Sequence, residues 1–354
     1  MRIGIVSRGS PPGSHVVDRW RFDVLIRRLS SRTVTVEYIR AQEAYDLLIV
    51  PLRTDNATVI KSVAHSARCK IIGDVTDDVF AVALKRMLAP HRLSVAGRVY
   101  MHLSALLHPG IPRMAELVGA CNAVVVGSSA QAESLSRHNG AVHVITDAIL
   151  ENPYARDAVR SHDGPLRLAW IGNVESLDGL VSIQPVLDEL ARSEGVELRL
   201  ITGTQTKGRI LGKRPRNVRQ FIADQRIPCV FRPWHIDTFH REIAEADVGI
   251  VPVATQSDFT LNKPPGRSLL FMAAGLPVIA TPIRSHREVI VPGETGFLPE
   301  TTDDWVKTVR ALTKDVELRQ EVGQAASDFA LRYYGERAFA ERYARVIDTV
   351  MGRA

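Results

Sequence analysis

Cysteine is scarce: Cys69, Cys121 and Cys229 are the only three in 354 residues. They are scattered, odd in number and free of the paired spacings that zinc sites or disulfide frameworks need, so the sequence predicts small buried apolar side chains there. No apolar run approaches the roughly 20 residues of a membrane-spanning helix. The N-terminus, MRIGIVSRGSPPGS, passes from a strand-like run into a Gly/Pro loop, without the basic start, apolar stretch and cleavage site of a secretory signal. The expectation is a soluble, cytoplasmic chain. No G-x-G-x-x-G run follows a strand, so a dinucleotide fingerprint is not supported. No His or carboxylate grouping has a convincing metal-ligand spacing, and no bound metal is expected. Repeats and low-complexity segments are also missing.

What is present is ordinary globular material, 45% apolar and 24% charged, in a length that accommodates two α/β domains. The formal net charge of +6 is compatible with an anionic partner and equally with an arginine-rich composition. The densest basic stretch, Lys207, Arg209, Lys213, Arg214, Arg216 and Arg219, contains no acidic residue. It suits an anionic acceptor, a peripheral membrane contact or nucleic acid, or a solvated face; no aromatic–basic interleaving marks it as a nucleic-acid reader.

Strand-like runs at 2–7, 34–38, 46–50, 70–73, 123–127 and 142–145 alternate with helical patterns, the first of them over 16–29, which predicts a doubly wound α/β domain. Asp74, Asp77 and Asp78 fall just past a predicted strand end, where open α/β sheets put ligands. They are candidates for metal holding, for a general base or for orienting a hydroxyl, and Asp77 and Asp78 also suit helix capping. The stretch 151–165 lacks an apolar period and ends in Asp-Gly-Pro, a domain boundary signal. From Leu166 the strand–loop–helix theme restarts, with further strands expected at 197–202, 229–231, 248–253 and 277–280. The chain from Thr302 reads as successive helices.

The run Phe259–Pro299, FTLNKPPGRSLLFMAAGLPVIATPIRSHREVIVPGETGFLP, carries the clearest chemistry. Pro264 and Pro265 suit a helix start, so a helix should begin near Gly266 with Arg267 and Ser268 in its opening turn. Free backbone N–H groups and the positive end of the helix dipole face outward there, and Lys263 and Arg267 bracket the same end. A phosphate or diphosphate fits that place; solvated charge at a loop edge is the plainer reading.

The same stretch resembles the donor-site segment of family 4 (group 1) GT-B glycosyltransferases, particularly a bacterial subgroup. Lys263, Arg267, Met272, Ala273, Gly275, Pro277, Val278, Pro282, Arg287, Glu288, Gly293, Gly296 and Phe297 carry the match. GDVTDDVF and WHIDTFHREIAEADVGIVPV resemble two further segments of that subgroup. The resemblance implies two Rossmann-like, doubly wound parallel-sheet α/β domains facing a cleft. These are an acceptor-side domain over 1–160, a nucleotide-sugar domain over 161–335, and a last helix over 336–354 crossing back to the first.

The resemblance also implies transfer of a sugar from a nucleotide-diphosphate donor, with retention of anomeric configuration and no obligatory separate nucleophile, to an unidentified acceptor: a glycan, a lipid-linked sugar, a small molecule or a nucleic acid. Lys263 and Arg267 then face the phosphates, with Asp78 as the catalytic carboxylate. Gly172, Asn173, Gly203, Trp234, Gly266, Ser268 and Glu288 contact the donor, and Gly13, Ser14 and His15 line the acceptor side. A core or lid role for Trp234 stands beside that reading. No cofactor beyond the donor substrate and no metal is implied.

Two departures accompany the likeness. The two glutamates of the family's E-x7-E pair fall on Asn262 and Leu270. The diphosphate contacts of the first strand–helix turn fall on Gly172-Asn173 and Asp178-Gly179, without either cation. These departures motivate two alternatives, a degenerate GT-B binding or scaffold subunit and a sugar-nucleotide 2-epimerase-like enzyme.

Overall fold

The computed structural model describes residues 1–8, 12–13, 15–40, 43–52, 69–75, 110–151, 164–192, 195–204, 217–255 and 261–353. The chain divides into two compact units, Met1–Ala148 with Asn262–Pro264 and Glu336–Ala354, and Ile149–Leu261 with Pro265–Gly335. Each is built on a parallel sheet.

In the first unit the strands are β1 (Arg2–Ile5), β2 (Thr35–Tyr38), β3 (Leu47–Pro51), β4 (Lys70–Val75), β5 (Ala123–Val126) and β6 (Val142–Val144), in the order β2-β1-β3-β4-β5-β6. Every pairing is parallel. The runs LLIVP of β3 and AVVV of β5 are buried throughout, as strands covered on both faces must be. Helices α1 (Asp23–Leu29), α2 (Gly110–Ala120) and α3 (Ser129–Leu135) belong to this unit.

The helix expected over 16–29 contains a π-helical stretch, Asp18–Phe22, before α1. Its wider turn brings both Asp18 and Arg21 inside, each 0% exposed. Asp18 holds the loop after β1, accepting from Ser7 Oγ at 2.7 Å and from the Arg8 and Gly13 amides. Arg21 donates to Asp74 at 2.8 Å and to Asp147 at 2.8 Å. The final helix, α12 (Glu336–Val350), is grouped with this unit. Its Tyr343 hydroxyl donates to the same Asp74, and its Glu336 binds Arg27 and Arg28.

Asp74 is therefore not a ligand-facing carboxylate past a strand end. β4 runs on to Val75, and Asp74 is buried within it as the partner of Arg21. Asp77 and Asp78 lie outside the described residues, as do Ser14 and the basic stretch from Lys207 to Arg216.

The second unit has β7 (Leu166–Ile171), β8 (Val196–Thr202), β9 (Cys229–Pro233), β10 (Val248–Val251) and β11 (Val278–Ala280), in the order β11-β10-β7-β8-β9, again all parallel. Its helices are α4 (Asp178–Ser182), α5 (Gln184–Leu190), α6 (Val218–Ala223), α7 (Phe239–Ala244), α8 (Gly266–Ala273), α9 (Arg284–Arg287), α10 (Thr302–Lys314) and α11 (Val316–Tyr334). Leu168, Trp170, Leu198, Leu200, Val248 and Ile250 of the sheet pack with Trp305, Val306 and Val309 of α10 in one core. No helix among the described residues is long and apolar enough to cross a membrane. All three cysteines are free; Cys121 is buried, and burial pushes its thiol up to about 12.

Candidate anion site at the start of helix α8

In a parallel sheet the loops at the C-terminal strand ends are where ligands are held. Here those of β7, β8 and β9 are tied together. Thr202 Oγ1 donates to the Gly172 carbonyl at 2.6 Å, and the Trp234 amide donates to the Thr202 carbonyl at 2.9 Å. Gly172, Gly203 and Trp234 are thus brought to one end of the sheet. The Trp234 ring is 38% exposed and stacks on Phe239 with centroids 6.1 Å apart, so it is a surface ring and not a core one. Asn173 is exposed and precedes a 3-10 turn, Val174–Leu177.

Helix α8 starts at Gly266, set by Pro264 and Pro265. Pro265 at its N-cap supplies no side-chain cap, so the opening amides, Gly266 to Ser268, keep their donors for an outside acceptor. Ser268 is fully buried and its Oγ has no partner among the described residues. Arg267 Nη1 is also buried without a partner among the described residues. Burial alone pushes the guanidinium down to about 10. It rests beside Gly172: a Cβ there would lie 3.4 Å from Arg267 Nη1 and 2.8 Å from the Trp170 ring. Only a glycine admits both neighbours.

His286, from α9, completes the setting and was not foreseen as a site residue. It is 3% exposed, with Nδ1 2.7 Å from the Thr281 carbonyl, which assigns the proton to Nδ1. Burial pushes its pKa down to about 4; the Thr281 hydrogen bond opposes that and the charge of Arg267 adds to it. The imidazole is neutral beside the arginine. His286 precedes Arg287-Glu288 in the matched pattern, but neither its burial nor its partner has a sequence signal. Thr202, a threonine at a strand end, gave none either.

Other predicted residues sit differently. Lys263 belongs to the stretch Asn262–Pro264, which is grouped with the first unit, whereas Arg267 is grouped with the second. Glu288 is exposed and pairs with Arg284 at 3.5 Å. Gly179 has a packing duty, since a Cβ would come 2.2 Å from the Pro252 carbonyl. Asn262 is buried and its carbonyl accepts from Ser128 Oγ at 2.9 Å, while Leu270 is core at 7% exposed. On the acceptor side, Gly13 has φ +80°, and His15 Nδ1 accepts from the Val17 amide at 3.1 Å. No group of three or more metal-ligating side chains occurs among the described residues.

Comparison with known proteins gives these arrangements a context. Residues 166–315 match the family described as "Glycosyl transferases group 1". No curated protein sequence matches the chain. Among solved structures, Anabaena HepE in complex with UDP-glucose is similar at TM-score 0.66 and 13% identity, over 99% of this chain and 100% of that one. A glycosyltransferase from Rickettsia africae is similar at TM-score 0.65 and 11% identity, over 100% of this chain and 99% of the other. Sucrose-phosphate synthase from Thermosynechococcus elongatus follows at TM-score 0.63 and 14% identity, over 89% and 76%. At such identities the likeness speaks for the fold. Residues 166–315 thus resemble group 1 glycosyl transferases, in a chain whose two parallel-sheet units have the GT-B fold.

Proposed function

We propose that the chain transfers a glycosyl group from a nucleotide-diphosphate sugar to an acceptor hydroxyl, with retention at the anomeric carbon and without a bound metal, in the cytoplasm. The observation that carries this reading is the buried, unpartnered guanidinium edge of Arg267 at the uncapped start of α8. A buried cation without a counter-ion is costly, and an arriving diphosphate supplies the missing partner. HepE, whose complex holds UDP-glucose, supports a uridine donor.

As the bond between anomeric carbon and diphosphate breaks, negative charge grows on the leaving oxygen. The Arg267 guanidinium, the Ser268 hydroxyl and the opening amides of α8 then stabilise the transition state more than the ground state. Lys263 adds a second cation to the phosphates. The acceptor oxygen bonds to the carbon on the face the diphosphate leaves, and its proton passes to the departing phosphate. Asp78 orients that hydroxyl.

The test is a panel of nucleotide sugars assayed for thermal stabilisation and slow hydrolysis, with and without EDTA. One donor is expected to act equally in both conditions, and Arg267→Ala should lower its turnover about a hundredfold or more. No shift and no hydrolysis with any donor would overturn the reading.

A second reading, a donor-binding subunit without turnover, has one observation behind it. The two positions that carry glutamates in the resembling family are a buried Asn262 and a core Leu270. Donor binding that Arg267→Ala abolishes, without hydrolysis or transfer under any condition, would favour it.

A further inference from the structure

β8 lies between β7 and β9 in its sheet and ends on Thr202, a residue with no exposed surface that is tied to both neighbours. Its carbonyl accepts from the Trp234 amide just past β9, and its Oγ1 donates to the Gly172 carbonyl just past β7. The ladder between β7 and β8 is already loosening at that point. The Gly172 amide reaches the Ile201 carbonyl only at 3.3 Å, against 2.6 Å for the bond from the Thr202 hydroxyl. No other donor to the Gly172 carbonyl is found among the described residues. Branching at Cβ restricts a threonine to few rotamers, so a buried Oγ1 is a fixed donor and not a swinging one.

Gly172 is in turn the wall against which Arg267 rests. A Cβ on the glycine would lie 3.4 Å from Arg267 Nη1 and 2.8 Å from the Trp170 ring, so its α-carbon touches both. Arg267 Nη1 has no partner among the described residues, and neither has Trp170 Nε1. Packing, and not hydrogen bonding, therefore places this edge of the guanidinium. A group placed by packing moves when its wall moves, and a misplacement of about 1 Å at a reacting centre costs about a hundredfold. Thr202, Gly172, Trp170 and Arg267 all belong to the second unit.

The plainer duty of the Thr202 hydroxyl is to tie two strand ends together. That duty predicts a contribution to stability and nothing at the guanidinium. We propose that Thr202 is a positioning residue: its hydroxyl fixes the Gly172 carbonyl, the glycine fixes the guanidinium edge of Arg267, and the affinity for a diphosphate follows. The last step rests on the transfer reaction proposed above; the first two do not.

The experiment has an arm without ligand and an arm with UDP, both on the full chain. In the first, arginine Nε–H signals are recorded by proton–nitrogen correlation, and the Arg267 signal is assigned by its loss in Arg267→Lys. Thr202→Val keeps the volume and removes the hydroxyl, and should shift that signal; Thr202→Ala removes the hydroxyl without adding a methyl, and should shift it too. Thr202→Ser keeps the hydroxyl and should leave the signal in place. In the second arm, calorimetric titration should show UDP affinity about tenfold or more weaker in Thr202→Val. Thr202→Ser should bind UDP as the wild type does, although loss of its buried methyl lowers the melting temperature.

An unmoved Arg267 signal in both hydroxyl-free variants, or an equal shift in Thr202→Ser, would overturn the proposal. So would a lowered melting temperature in Thr202→Val with UDP affinity unchanged, which assigns the bond to stability alone. If the Arg267 signal moves as expected while the wild-type chain binds neither UDP nor any other nucleoside diphosphate, the positioning of Arg267 stands and the transfer reading fails.

Discussion

Arg267 and Gly172 are complementary: the guanidinium rests where the glycine has no side chain, against a buried tryptophan ring. Gly172→Ala puts a methyl 2.8 Å from that ring and 3.4 Å from Arg267 Nη1. Overpacking of this kind costs about 1–3 kcal/mol, and here it also moves the cation. The expected outcome is a lowered melting temperature together with a loss of nucleoside-diphosphate affinity, read by calorimetry on the same sample.

His286 gives a second prediction with a defined sign. Its folded pKa, about 4, lies below the 6.5 of the unfolded chain. The stability it contributes is therefore complete above pH 6.5 and is lost as pH falls toward 4, because only the unfolded chain takes up the proton in that window. A shift of that size is worth about 3 kcal/mol. Urea midpoints at pH 7.5 and pH 4.5 should differ by less in His286→Gln than in the wild type.

At the scale of elements, α8 shows what a sequence makes legible. The Pro264-Pro265 pair marks its start and Gly275, at φ +69°, its end, since both act locally through backbone geometry. The π turn at Asp18–Phe22 was not legible. It exists because Asp18 and Arg21 both point inward to distant partners, and polar residues in a helical pattern read as solvent-facing until those partners are known. The same holds at Asp74, whose place inside β4 depends on its distant partner Arg21. Packing of α11 on the end of α8 makes a prediction in which two effects compete. Gly323 sits mid-helix, where alanine would gain about 1 kcal/mol of helix propensity. Its Cβ, however, would be 2.2 Å from the Gly275 carbonyl, a backbone atom that does not swing aside. Gly323→Ala should therefore lower the melting temperature, whereas propensity alone predicts a rise.

Over the whole molecule, the repeated strand–helix alternation made two parallel-sheet units readable, because buried strands and punctuating glycines recur with the same local signals. Of the residues gathered at the candidate site, those tied to a helix start or a strand-end loop, Arg267, Ser268 and Gly172, have a local sequence signal. Those defined by burial, His286 and Thr202, have none. The same distinction applies to the charge network that unites residues 21, 74, 147 and 343, which spans nearly the full chain. Arg21 and Asp74 are both fully buried and bonded at 2.8 Å, with the Tyr343 hydroxyl on the same carboxylate. Removing one partner leaves a buried charge uncompensated, at a cost of about 3–5 kcal/mol, while replacing both by apolar residues of similar volume is often neutral. Arg21→Met should thus destabilise the N-terminal unit strongly, and Arg21→Met with Asp74→Leu should recover much of that loss. Differential scanning calorimetry of the two variants reads the outcome. Equal melting temperatures for the single and double variants would show that Asp74 left without Arg21 carries no such cost, the Tyr343 hydroxyl or a proton sufficing for its carboxylate.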